Sequence, residues 1–353
     1  MIDNQAVATS VEELLGLRLD ALSVLRSSRK RVSQAQVGPS ASRSLGRGLD
    51  FAESRVYQPG DDVRNMDWNV TARTGQAHTK LFVEEREKPT YLLVDLNPGM
   101  WFATRGMFKS MLATRLAVLL AWCAVASNDR VGGIVTAGSW HREIKPLPGR
   151  RGVMALIRNL LEAQRLSNHA ASNSISASST DASGATKQTN KNSSPISSMA
   201  EGELTERFLD NVNRLHRLSK GGGEVVVLSD FSALDSDLNS AGKESKATAI
   251  STSAQALRMR LAALGSHAGL TMVRAYDPLE KDLPAGGRLD VLTRGVRSQL
   301  VQGTDERRKH VDRFAARTQE LTRLSAGSGR ISMYQVATVE KPAAALQRLL
   351  AGR

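Results

Sequence analysis

The 353-residue chain has a single cysteine, Cys123. No disulfide can form within a monomer, and a reducing compartment is the expected setting. Aromatics make up only 4% of the residues. The core must therefore come from Leu, Val, Ala, Ile and Met, and stacking platforms for bases are few. The N-terminal MIDNQAVATSVEELLGLRLD carries acids where an export signal needs lysine and then an unbroken apolar stretch, so no such signal is expected. The longest apolar run, residues 116–126, is about half of the roughly twenty residues that a bilayer demands. The expectation is a cytoplasmic chain without a transmembrane segment, with peripheral attachment at the inner membrane face left open.

Several chemistries lack their residues. No GxxxxGK[ST] phosphate cradle occurs, and the glycines of GGGEVVV precede a strand rather than follow one. The six histidines, His78, His141, His169, His216, His267 and His310, show no HxxxH or HExxH spacing. With one cysteine, a zinc site is unsupported. No GxSxG elbow is present, and SSRK at 27–30 and SAGK at 240–243 match SxxK without its companion motifs.

Charge is abundant, with a net +13 and a pI near 10.2. Residues 1–90 carry 13 Lys+Arg against 12 Asp+Glu, residues 91–165 carry 10 against 4, and residues 203–353 carry 23 against 17. A nucleic-acid stripe should be clustered and interleaved with aromatics, whereas this excess is spread. Solvated surface is the favoured reading, and an acidic protein partner or an anionic membrane surface fits the same charge.

The hydropathy pattern alternates strand and helix. Val11, Leu14, Leu15, Leu22 and Leu25 have helical spacing over residues 11–26. HTKLFVEEREKP reads as a strand ended by Pro89, and TYLLVDLNPGM as a buried parallel strand stopping at Asp95. A long apolar helix at 106–126, a strand with a paired strand at 129–148, and a helix at 149–166 follow. After an insertion, ELTERFLDNVNRLHRL is a helix and EVVVLSDFS a strand ending at Asp230. A polar stretch near 235–252 comes next, then helix, strand, a hairpin near 287–303, a charged helix at 304–325, a strand and a terminal helix. This order predicts a doubly wound α/β fold. The expected organisation is an N-terminal helix and loop over 1–45, a segment with β-strands over 46–90, and one α/β domain over 91–353. A serine-rich tract at about 166–202 is expected to be a disordered insertion, because it has too little apolar surface to offset its ordering entropy.

Two features carry candidate sites. RVYQPGDDVRNMDWNVTART, residues 55–74, crowds arginines, aspartates, Pro-Gly and a tryptophan together. It offers no nucleophile with a base, and nearby guanidinium groups favour ionised acids. Bidentate Arg–carboxylate pairing is the chemistry it suits, with Pro59 and Gly60 turning Arg55 and Arg64 back beside Asp61 and Asp62. Trp68 is expected to anchor the loop in the core with its indole N–H bonded locally. The second feature is the pair Asp95 and Asp230, each ending an apolar strand, where ligands gather in open α/β sheets. They can hold a hard divalent cation, or simply cap the turns that follow.

The run from Gly46 to Asp95 resembles the bacterial family called domain of unknown function fifty-eight. Its pattern is carried here by Gly46, Arg47, Gly48, Asp50, Phe51, Arg55, Tyr57, Pro59, Gly60, Asp61, Asp62, Arg64, Asp67, Trp68, Ala72 and Arg73. The resemblance implies a von Willebrand factor A-like fold: a doubly wound, mostly parallel sheet with an N-terminal helix and a small β-containing N-terminal layer. It implies as partners a MoxR-type AAA+ ATPase and other A-type domain proteins. It makes Arg55, Tyr57, Asp61, Asp62, Arg64, Asp67, Trp68 and Arg73 the signature segment, read as an ion-pair network. The adhesion-type metal site of that fold, for Mg²⁺ or Ca²⁺, falls here on Asp95, Asn97 and Asp230 in a degenerate form, for which a metal-free surface is the favoured reading. The usual DxSxS is replaced there by Asp95, Asn97 and Gly99. Asn97 would offer its amide carbonyl, Gly99 offers no side-chain oxygen, and the expected threonine has no clear position.

The leading expectation is a non-enzymatic, protein-binding A-type domain acting with the ATPase as an adaptor or chaperone-like factor in the assembly or activation of a complex. The alternatives are a divalent-metal-dependent hydrolase using Asp95 and Asp230, and a nucleic-acid-binding protein.

Overall fold

A computed structural model of the chain describes residues 9–35, 45–46, 50–83, 88–177, 201–237, 244–282, 288–293, 296–301 and 304–352. The chain forms two compact units, one of Arg29–Glu87 and one of Met1–Ser28 with Lys88–Arg353. Helix α1 (Val11–Ala35) begins in the larger unit.

The smaller unit contains strands β1 (Leu45–Gly46) and β2 (Asp50–Val56), helix α2 (Trp68–Thr74) and strand β3 (His78–Val83). The strands form an antiparallel sheet in the order β1-β3-β2. Of the signature residues expected from the sequence, Arg47 and Gly48 lie outside the described residues.

The larger unit is built on β4 (Pro89–Asp95), α3 (Lys109–Ala126), β5 (Arg130–Ala137), β6 (Trp140–Pro148), α4 (Arg150–Ala177), α5 (Glu201–Leu218) and β7 (Glu224–Ser229). It continues through α6 (Glu244–His267), β8 (Gly269–Tyr276), the short α7 (Pro278–Lys281), a hairpin of β9 (Arg288–Thr293) and β10 (Val296–Val301), α8 (Thr304–Ala326), β11 (Ile331–Ala337) and α9 (Pro342–Ala351). The central sheet has the order β11-β8-β7-β4-β5-β6, parallel except for the β5–β6 edge hairpin. This is the mixed α/β fold with a mostly parallel sheet that the alternation of elements predicts.

Both faces of the sheet are covered, which is why its strands read as continuous apolar runs. On β4, Leu92 and Val94 join one core with residues of α1, α3, α4 and α9, while Tyr91 and Leu93 join the other with α5, α6 and α8. Each such fully buried aliphatic side chain contributes about 1.5–3 kcal/mol. Helix α3 has the length and apolarity of a membrane span, and 83% of its residues are buried within the protein.

Several boundaries differ from expectation for local reasons. Pro89 opens β4 rather than ending the strand before it, because the first position of a strand tolerates a missing N–H. The helix expected at 149–166 continues to Ala177, and residues 178–200 of the expected insertion lie outside the described residues. The polar stretch near 235–252 is helical from Glu244 onward, and the turn before it is a 3₁₀ segment.

Strand β5 approaches β4 closely at Gly133, where φ is +145° and the pairing of β5 with β6 slips between Val131 and Gly133. A Cβ there would overlap the backbone of Leu92, reaching 2.6 Å from its nitrogen. Gly133→Ala is therefore expected to cost about 3 kcal/mol or more, read from urea unfolding; a loss below about 1 kcal/mol would contradict this approach.

Candidate functional site

The sheet's topology changes direction between β4 and β7, since the chain winds from β4 toward β5 and returns on the other side of β4 at β7. Carboxyl ends at such a switch point form a crevice. Asp95 and Asp230 sit there, 6% and 3% exposed. Asn97 bridges them, its Nδ2 donating to Asp95 Oδ2 at 2.9 Å and to Asp230 Oδ1 at 3.1 Å. Ser229 Oγ donates to Asp95 Oδ2 at 2.7 Å and accepts from the Phe231 N–H at 3.0 Å. Phe231 holds a left-handed φ of +56°, rare for a bulky residue, and is fully buried edge-on to Phe208. Such strain costs about 1–3 kcal/mol and concentrates at functional sites.

The two acids differ in charge state. Burial, and then the charge of Asp230, push Asp95 up to about 7. Burial acts on Asp230 in the same direction, but Lys109 and Arg317, helped by the Ser232 N–H and Asn97, hold it well below the usual carboxylate range. Lys109, 1% exposed, lies 3.4 Å from Asp230 Oδ2 and 2.6 Å from Glu280 Oε1. The capping box of α7 fixes Glu280, whose Oε2 accepts from the Asp277 N–H at 2.9 Å. Asp277, fully buried, accepts from the N–H and hydroxyl of Thr104 at 2.8 and 2.6 Å and from the Thr338 hydroxyl at 2.8 Å. The loop between β4 and α3 is thus tied to the ends of β8 and β11.

A small pocket beside Asp95 and Asn97 is lined also by Thr136, Arg207, Phe208 and Asn211. Thr136 is itself engaged, accepting from Asn211 Nδ2 at 3.2 Å and donating to the Trp140 carbonyl at 3.3 Å.

The residues present do not fit a divalent cation. Asn97 turns its NH₂ group toward the carboxylates, and its Oδ1 accepts from the Met100 N–H at 3.2 Å, so the expected carbonyl ligand faces away. At Gly99 a Cβ would lie 2.6 Å from Asp230 Oδ2, so the serine of the usual pattern would require that carboxylate to move. Positive charge already reaches Asp230 through Lys109 and Arg317. No group of three or more His, Cys, Asp or Glu with metal-binding geometry occurs among the described residues.

In the smaller unit the signature segment is organised mainly by its backbone. A turn closes with the Asp61 N–H donating to the Gln58 carbonyl at 3.0 Å, with Pro59 and Gly60 in the middle and Gly60 at φ +106°. It returns the chain so that Arg55 Nη2 lies 2.7 Å from Asp61 Oδ1, as the Pro-Gly pair predicts. The Gln58 N–H foremost, and then Arg55, hold Asp61 below its ordinary value. Asp62 caps a 3₁₀ turn through the Arg64 N–H. Asp67, 6% exposed, caps α2 through Asn69 and Val70 and accepts the Ser54 hydroxyl at 2.7 Å. That hydroxyl is the main group holding Asp67 below its ordinary value, together with the capping N–H groups.

Within the expected ion-pair network Arg55 and Asp61 form a salt bridge, and Asp61, Asp62 and Asp67 also accept backbone N–H groups. The side chain of Arg64 is exposed, and Arg73 turns to the Asn69 carbonyl at 3.4 Å. Tyr57 is half-buried, its N–H donating to the Ala77 carbonyl. Trp68 is 66% exposed rather than buried, because its position at the start of α2 faces outward once Asp67 is fixed as the cap.

Sequence reasoning missed Lys109. The available signal was a lysine opening an otherwise apolar helix, where the helix dipole disfavours a cation unless an acid compensates it.

An α/β sheet with paired carboxylates at its switch point, and a separate capped signature segment, define the class of protein. The chain belongs to the family described as Protein of unknown function DUF58, whose model matches residues 53–321. It is also similar to an uncharacterized protein of Mycobacterium bovis and to uncharacterized proteins of two Mycobacterium tuberculosis strains, each 35% identical over 115 residues. Each match covers 33% of this chain and 36% of the relative, so the chain spans about a third of the length of those proteins.

The raised Asp95 gives a pH test. Below its ordinary value of 3.8 the group is protonated in both folded and unfolded states, and its contribution is fully present. As pH rises toward about 7, the unfolded chain loses that proton while the folded one keeps it, so stability falls. Asp95→Asn cannot ionise. Its unfolding free energy relative to wild type is expected to grow by on the order of 4 kcal/mol between about pH 4 and pH 8; a difference that stays flat in urea titrations would mean Asp95 is charged throughout.

Proposed function

We propose that this chain is a non-enzymatic protein-binding domain of von Willebrand factor A-like fold, working in the cytoplasm or at the inner membrane face. It acts with a MoxR-type AAA+ ATPase, and with other A-type domain proteins, as an adaptor in the assembly or activation of a complex. The parallel sheet with one antiparallel edge strand, and the acids at its switch point, support the fold assignment.

The observation that carries the binding role is the exposure of Trp68, 66%, within a signature segment whose acids accept backbone N–H groups as caps. Val56 and Val63 of the same segment are also more than half exposed. Tryptophan and arginine are the side chains that dominate protein interfaces when presented on a rigid frame. The buried Asp67 cap supplies that frame, and Arg64 and Arg73 are exposed nearby in sequence. A hydrolase centred on Asp95 and Asp230 has less support, because the donor set does not suit a divalent ion.

The test is a pull-down and ATPase assay with the purified MoxR-type protein. The wild-type chain is expected to bind it and change its turnover, and Trp68→Ala to weaken binding by about 30-fold while its urea midpoint stays unchanged. An ATPase that neither binds the wild-type chain nor alters its rate would end the adaptor reading. Unchanged binding by Trp68→Ala would move the interface elsewhere.

A further inference from the structure

Lys109 is the least expected charge in the larger unit. It begins α3, whose next fifteen residues include Arg115 as their one charged side chain, and its side chain is 1% exposed. Its ammonium group lies between Asp230 Oδ2 at 3.4 Å and Glu280 Oε1 at 2.6 Å, 5.9 Å from the centroid of the Phe102 ring. Each neighbour suits a cation: two carboxylate oxygens and the face of an aromatic ring. Its place at a helix N-terminus opposes the helix dipole, so only these acids make the position tolerable.

Three further observations concern the same carboxylates. Asn97 aims its NH₂ group rather than its oxygen at Asp95 and Asp230. A side chain at position 99 would press on Asp230 Oδ2 and displace it. The Arg317 guanidinium lies at the back of the site, with Nη1 donating to the Asp230 carbonyl at 3.3 Å. A divalent ion at these carboxylates would have an ammonium, amide hydrogens and a guanidinium among its neighbours.

We infer that the Lys109 ammonium is the resident cation of the strand-end carboxylates, doing electrostatically what a bound metal ion would do at such a crevice. The site is then charge-complete within one chain and takes no divalent ion. It becomes a cation-binding site only when the lysine is removed. In Lys109→Ala the atoms lost are three methylenes and an ammonium, the composition of n-propylammonium, so that ion is the matching probe.

The test is thermal unfolding of the full chain as wild type, Lys109→Ala and Lys109→Ala with Asp230→Asn. The salts are chlorides of Mn²⁺, n-propylammonium and tetramethylammonium at matched ionic strength. Wild type is expected to respond equally to all three. Lys109→Ala is expected to lose on the order of 10 °C in Tm, because buried Asp230 loses one of its two cations and Glu280 loses its partner. Mn²⁺ or n-propylammonium should restore part of that loss, and tetramethylammonium, which has no N–H to donate, should not. The double variant, with both charges gone, should be more stable than Lys109→Ala and should lose the selective response. If Lys109→Ala does not fold, recovery of a folded double variant carries the same point. The inference is overturned if calorimetry shows saturable Mn²⁺ binding to wild type that Asp230→Asn abolishes. It is equally overturned if Lys109→Ala is as stable as wild type, or if its Tm responds no differently to n-propylammonium than to tetramethylammonium.

Discussion

A carboxylate kept ionised at the centre of a covered sheet constrains everything around it. Asp230 is 3% exposed at the end of β7, and a lone buried charge there would be untenable. Lys109 has to begin α3, Glu280 has to stand at the third position of α7, and Arg317 has to face inward from α8. The loop joining β4 to α3 is held for the same purpose, through Thr104 and the buried Asp277. Three helices and two strand ends are placed by how one negative charge is compensated.

Against that charge the neighbouring acid behaves as a different group. Asp95 is hydrogen-bonded by the Asn97 amide and the Ser229 hydroxyl, both uncharged. Burial and the Asp230 charge therefore keep it near neutrality rather than fully ionised. Two like charges at such proximity separate into one strong acid and one weak one. Here the arrangement orders a junction between strands, with the Ser229 hydroxyl tied to Asp95.

Much of the fold was legible in the sequence because it depends on patterns that burial imposes. TYLLVD and EVVVLSD are apolar without alternation because β4 and β7 are covered on both faces, and their terminal acids fall where such strands end. The Pro-Gly turn placing Arg55 beside Asp61 was legible too, since it needs only local geometry. Lys109 was not, because its partners are over a hundred residues away in sequence. Trp68 was misread since hydrophobicity alone suggests burial, whereas the phase of α2, set by the Asp67 cap, turns it outward. In the arginine-rich segment the acids accept backbone N–H groups alongside the Arg55–Asp61 pair, a set of caps that composition alone does not reveal.

The glycine at position 99 bears on which substitution routes are open to this chain. A serine there would restore the oxygen that the adhesion-type pattern carries, but it would collide with Asp230 Oδ2. That oxygen is in turn the one nearest Lys109. The two departures from the pattern therefore lock each other: the serine needs the carboxylate to swing away, and the carboxylate will not swing while the ammonium holds it. A path from this site to a metal-binding one passes through loss of the lysine first, and in the reverse direction the lysine can arrive only after the ion has gone.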